Sequence, residues 1–218
     1  MIKERFPAFA VVIGIVLIAI GSTGLSVKSR VRGQQPQGSL HERAKQNGGK
    51  LAAKIRTDRS VIYPNIEELA KRSELIVVGR TLSHRSHLTA DGTSITTDFW
   101  VLPLDFVKGQ IKRGELVLAS LPGGAHKFSD GTAALLKAIT YNEAQNGKTY
   151  VFFLKGIDAS SKGHELVGGA QGQFELDLTT GEVEPADTDS SDPVVIKYKG
   201  KPAKEFLAEI HSFVGKHQ

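Results

Sequence analysis

The chain of 218 residues contains no cysteine. That absence excludes disulfides, zinc held by thiolates, CxxC redox chemistry and a lipid-modified cysteine. It leaves the compartment open. Aromatic residues make up only 7% of the chain, with a single tryptophan. No His-Glu-x-x-His or Gly-x-Ser-x-Gly occurs, so the signatures of zinc peptidases and of the serine-hydrolase elbow are missing. Internal repeats and βαβ alternation are missing too. A further absence is local: no charged residue occurs from Phe6 to Val27.

That uncharged run follows Lys3 and Arg5 and contains "AFAVVIGIVLIAI", residues 8–20, before the small residues "GSTG". A charged start, an apolar centre and a small-residue end form a secretory signal pattern. The run is also long enough to cross a bilayer as a helix. Residues 1–32 therefore read as a signal peptide or a signal-anchor, with the anchor favoured. Export to the cell envelope follows from either.

The net charge of +5 suggests a nucleic-acid binder until it is located. Residues 1–32 carry five basic side chains against one acid, and residues 33–60 carry six against two. The remainder holds 17 Lys and Arg against 20 Asp and Glu. A nucleic-acid surface needs its positive charge on the fold that meets the phosphates. Here the excess lies in the leader and the segment after it, which excludes nucleic acid as a partner. Residues 33–60 include "GQQPQGSLHERAKQNGGK", poor in large apolar residues, and read as a flexible basic linker. Residues 61–218 are the exported domain.

Order is expected from Tyr63. "YPNIEELAKRS" predicts a short helix with Asn65 as N-cap and Glu68 as capping-box partner. "ELIVVGRTL" (74–82) is apolar on both faces, as in a covered strand. "TADGT" (89–93) has the Asp-Gly pair of a hairpin turn. In "TSITTDFWVLPLDFVKG" (93–109) the apolar residues sit first at Ile95, Phe99 and Val101, then at Trp100, Leu102, Leu104 and Phe106. A strand has period two, so this change of phase predicts a bulge or bend near Pro103. "GELVLASLPGG" and "GKTYVFFLKG" read as further strands. "DGTAALLKAI" reads as a connection with a turn or two of helix. "HELVGG" and "GQFELDL" read as a strand pair, and "VVIKYKG" (194–200) as a last strand. Phe206, Leu207, Ile210, Phe213 and Val214 share one face of a C-terminal amphipathic helix with Gly215 as its C-cap. The fold class is mainly β, an OB-like barrel or compact sandwich of six or seven strands. A short N-terminal helix and a C-terminal amphipathic helix flank it.

Candidate sites are few. "ELVGGAQGQFELD" (165–177) is glycine-rich, but a strand follows it where a phosphate loop needs a helix N-terminus. It reads as a corner or a bulge with positive φ, or as a rim that a partner's backbone could approach. His84 and His87, with His126 in another segment, are the candidates for a metal site. Residues three apart on a strand point to opposite faces, which argues against that site. Glu175 with Asp177, and Asp98 with Asp105, are the paired carboxylates, and Phe99, Trp100, Tyr150, Phe152 and Phe153 read as core. No catalytic residue and no cofactor is assigned.

The ordered run "SELIVVGR", "FVKG", "LPGG", "GKTYVFFLKG" and "VGGAQGQF" resembles a group of uncharacterised exported bacterial β-domain proteins. The likeness spans about residues 70–178, with an echo in "YKGKPAKEFLAEI". The strand plan is loosely similar to the netrin/TIMP-like OB barrels, whose members bind or inhibit extracellular proteins. Those domains are commonly stapled by disulfides, which this chain lacks, and no site residue carries over. The resemblance implies a non-catalytic binding or interaction module, with a protein partner or envelope component and attachment to the membrane through the N-terminal segment. The alternatives are a metal-assisted hydrolase using loop histidines, and a structural envelope protein.

Overall fold

Two strands of this chain are apolar on both faces, and the architecture follows from how each face is covered. The computed structural model describes residues 38–55, 61–157 and 163–215. The signal or anchor segment, residues 1–32, lies outside the described residues. Among the described residues no helix is long and apolar enough to cross a membrane.

The chain-order elements are α1 (Leu40–Gln46), β1 (Lys50–Ile55), α2 (Ile66–Arg72), β2 (Leu75–Leu88), β3 (Ile95–Lys108), β4 (Val117–Pro122) and β5 (Gly124–Lys127). They continue with β6 (Ala133–Ala138), β7 (Thr149–Gly156), β8 (Gly163–Leu166), β9 (Gln173–Leu176), β10 (Val183–Pro185), α3 (Pro193–Tyr198) and α4 (Ala203–Gly215). The larger sheet has seven strands in the order β10-β9-β7-β2-β3-β4-β8, and β8 also pairs with β7. Strands β7, β2, β3, β4 and β8 therefore close on themselves. The pairs are antiparallel except β4 with β8, which is parallel. This closed five-stranded ring fits the mainly-β class, barrel or sandwich, that the strand pattern predicts, but ten strands form among the described residues where six or seven are expected.

Alternation along β2 and β7 divides the core. Leu75, Val77, Phe152 and Leu154 point into the barrel with Phe99, Val101, Val117 and Leu121. Ile76, Val78, Val151 and Phe153 point outward into a second core with Phe174, Tyr198, Phe206 and Ile210. The helices α2, α3 and α4 supply that cover, so both faces of the two strands leave water. Each large apolar side chain buried this way contributes about 1.5–3 kcal/mol.

The phase change in β3 is present as bulges. Val78 pairs with Asp105 but Gly79 pairs with Pro103, which leaves Leu104 as an extra residue. Two further shifts lie between Ile76 and Val77 and between Thr81 and Ser83. Asn65 caps α2 as expected, its side chain accepting from the Glu68 amide at 3.0 Å. The Glu68 carboxylate, however, takes Lys71 at 2.9 Å, so the reciprocal half of the capping box is not made.

Four expectations are corrected. Order begins before Tyr63: residues of the predicted linker form α1 and β1, because Leu40, Ala44, Leu51, Ala53 and Ile55 share a small core with Ile95 and Leu136. Ser39 and Glu42 close a full capping box at the start of α1. "AALLKA" is strand β6, since Ala134, Leu136 and Ala138 alternate inward while β6 pairs with both β1 and β5. These three strands form a second sheet, ordered β1-β6-β5, with β1 parallel to β6. "PVVIKY" is helix α3, because the Asp192 carboxylate accepts from the Val194 amide at 2.8 Å and Pro193 suits the first turn. Finally, β8 and β9 do not pair with each other. Both run antiparallel along the same edge of β7, one after the other.

Candidate functional site

The glycine-rich stretch joins β8 to β9 as a wide bulge opposite Phe153. Leu166 pairs with Leu154 and Gln173 with Phe152, so residues 167–172 are extra. Val167 donates to the Phe153 carbonyl at 2.9 Å, and Gly169–Gly172 make one 3-10 turn. Gly168 has φ +70°, a conformation costly for any side chain, and sits under the Tyr63 ring. A Cβ on Gly172 would lie 2.6 Å from the Val167 carbonyl oxygen. These contacts leave no cradle for a phosphate.

The buried member of this turn is Gln171, at 1% exposure. Its amide mimics a strand partner for Tyr63, accepting from that N–H at 2.9 Å and donating to that carbonyl at 3.1 Å. It also donates to Asp192 at 2.7 Å, the residue whose other oxygen caps α3. One side chain thus ties the bulge to the segment before α2 and to α3. Its role is positional, and the glycines around it drew the reading of the sequence away from it.

The histidines do not assemble. His84 Nδ1 lies 3.1 Å from the Asn146 side chain, and its ring tilts against Phe99. His87 is 3.5 Å from Asp98. His126, on β5, meets the Phe128 ring edge-on at 4.9 Å. Among the described residues no group of three His, Asp or Glu side chains is placed to hold a metal ion.

The paired carboxylates are also separated by their partners. Asp98 accepts from the Ser120 hydroxyl at 2.5 Å, whereas Asp105 accepts from the amide of Phe106 at 2.8 Å. Asp177 caps the turn after β9, and the amides of Thr179 and Thr180 hold its carboxyl below the usual range. Glu175 instead faces a cleft of about 810 Å³ whose walls include Tyr141, Lys148, Tyr150 and Gln173. There it binds Lys148 at 2.6 Å and the Tyr150 hydroxyl at 3.3 Å. Burial, with the neighbouring Glu175 charge, pushes Tyr150 up to about 12. Such a phenol stays protonated at neutral pH and is no base. Tyr141, also raised by burial, donates to the Pro122 carbonyl. Glu175 and Lys148 neutralise each other there, while Lys137 and Glu143 line the same cleft.

The feature that stands out is a wall of the barrel. Outward residues of β3 include Trp100 and Leu102, and Trp100 lies opposite Leu118 of β4 and Ser83 of β2. Leu102 is 40% exposed, Leu104 52%, Leu116 42% and Leu82 44%. Trp100 and Leu118 are half-buried. Arg80 lies opposite Leu102, Lys112 and Arg113 lie with Glu115 in the β3–β4 connection, and none of the three basic residues is in an ion pair among the described residues. Aromatics were read from the sequence as core. That holds for Phe99, Tyr150, Phe152 and Phe153 but not for Trp100.

No protein-family profile and no curated protein matches this chain.

Proposed function

We propose that the chain is a non-catalytic binding module of the cell envelope, exported and held at the membrane by its N-terminal segment. It takes a protein partner on the outer wall of β3 and β4. The observation that carries this reading is the exposure of Leu82, Leu102 and Leu104 on the paired strands β2 and β3, with Leu116 just before β4 and the half-buried Trp100 between β2 and β4. Monomeric soluble proteins seldom expose contiguous apolar patches of this kind without a use for them. Tryptophan in the centre with arginine at the edge is the composition of a protein-binding hot spot. The OB barrel presents the same pair of strands, its second and third, to its ligands. Arg80, opposite Leu102 and unpaired among the described residues, fits a partner that brings an acidic group to the wall.

The test places a photo-crosslinking side chain at Leu102 in the native envelope, with Leu178 as the control position. Leu178 is 77% exposed and lies outside the wall. A single discrete adduct at position 102, absent at 178 and lost in a chain that also carries Trp100→Glu, supports the reading. Equal adducts at both positions, or turnover of test ester substrates with no adduct at either, overturn it.

A further inference from the structure

The outer face of the three-stranded sheet has a different character from the barrel wall. Its inner face, Leu51, Ala53, Ile55, Ala134 and Leu136, packs in the core with α1. On the outer face the register sets Lys50, Ala133 and Lys127 in one row, and Ala52, Leu135 and Ala125 in the next. Lys54 and Lys137 lie directly opposite each other in the third. The centre is a shallow apolar groove of about 470 Å³, with Leu135 44% exposed. All four lysines are exposed, and none is in an ion pair among the described residues. Among the described residues the three strands themselves place no carboxylate on this face, although Leu135 and Lys137 also border the cleft that holds Glu143 and Glu184. Asp130, in the turn between β5 and β6, is already held by His41 at 2.8 Å, by Lys45 at 3.2 Å and by Thr132.

Like charges directly across a sheet destabilise it. Lys54 and Lys137 therefore repel in the isolated fold, and a negatively charged surface against them would relieve the repulsion. The face carries apolar residues at its middle and, among the described residues of its three strands, no exposed aromatic ring to stack a base. A surface of lysines around shallow apolar side chains matches lipid headgroups, which attract each basic side chain that comes within a Debye length. Chain length adds to this. The uncharged run ends at Val27 and α1 begins at Leu40, so residues 28–39 extend at most roughly 40 Å.

We infer that the Lys50, Lys54, Lys127 and Lys137 face docks on an anionic bilayer surface, orienting the domain on its membrane. The inference rests on the membrane-held reading above, and the two are tested separately.

The lack of cysteine makes the experiment clean. The full chain carrying Ala52→Cys, labelled with an environment-sensitive fluorophore, is reconstituted with vesicles of phosphatidylcholine alone or with added phosphatidylglycerol. Flotation with the neutral vesicles reports the anchor; the label reports the face. The expected result is a several-fold emission increase at position 52 only with phosphatidylglycerol, reversed by high salt. A label at Leu178→Cys should not respond. The docked-to-free ratio should fall about fivefold for each lysine replaced by glutamine, with the circular-dichroism melt unchanged. Equal emission on both vesicles, or a response that survives replacement of all four lysines, overturns the inference even if the chain floats. A response to duplex DNA but not to phosphatidylglycerol overturns it in favour of a polyanion site. Failure to float with neutral vesicles removes the anchor and leaves the label to judge the face.

Discussion

The outer faces of β7 and β3 are built from similar residues and meet opposite fates. On β7, Val151 and Phe153 turn outward and are fully buried beneath α2, α3 and α4. On β3, Trp100, Leu102 and Leu104 turn outward, with Trp100 half-buried and both leucines exposed. The helical cover is also locked by charge. Glu209 of α4 binds Lys197 and Lys201 at 2.6 Å each and accepts from the Tyr198 hydroxyl at 2.9 Å. Apolar residues on the outside of a strand thus signify a core where the same chain provides a lid. Where it provides none, they stay partly exposed to water. The helices are enough for one wall only.

The largest test of that contrast is Phe174→Ala. Its ring meets Phe153 at 5.7 Å and Phe206 at 4.9 Å, so the cavity opens between barrel and helices. A loss of about 3–5 kcal/mol is expected in denaturant unfolding, still as one transition. Two separate transitions would show that the lid and barrel are not one core.

A smaller effect belongs to the lock. Burial alone would raise Glu209, but Lys197, Lys201 and Tyr198 outweigh it and hold the carboxyl at about 2. A carboxylate lowered on folding contributes stability above its unfolded value of 4.5, lost as pH falls through 4.5 toward 2. Discounted for exposure of the lysines, the wild type should lose about 1–2 kcal/mol more than Glu209→Gln over that window. Parallel losses in the two chains would show that the lock contributes nothing.

The smallest effect sharpens the other side. Leu102→Ser, on the bare wall, should change stability by no more than about 0.5 kcal/mol. A larger loss would mean the wall is already packed.

Much of this was legible. Apolar residues on both faces of 74–82 announced a covered strand, and the phase change in 95–106 announced the bulge at Leu104. The helical face of Phe206, Ile210 and Val214 was equally plain. Other parts were hidden by conflicts between local preference and tertiary demand. The β-branched run in "PVVIKY" favours a strand, yet Val194, Val195 and Tyr198 are buried at helical spacing behind the Asp192 cap. The "AALLKA" stretch favours a helix, yet it must bridge β1 and β5. The parallel pairing of β1 with β6 joins residues more than 80 positions apart, and no local pattern reveals it. The candidate surfaces were hidden for the same reason. Trp100 looked like core until the missing lid was known, and the four lysines meet only through sheet register.

The bulge at 167–172 acts as a fork in the architecture. Upstream of it the strand closes the barrel against β4; downstream it leaves the ring and carries β10 and both C-terminal helices away from it. Six residues with one buried glutamine thus separate a closed module from an open extension. Lengthening or shortening that turn would shift α3 and α4 along β7, against a fixed α2, while leaving the ring and its outer wall intact.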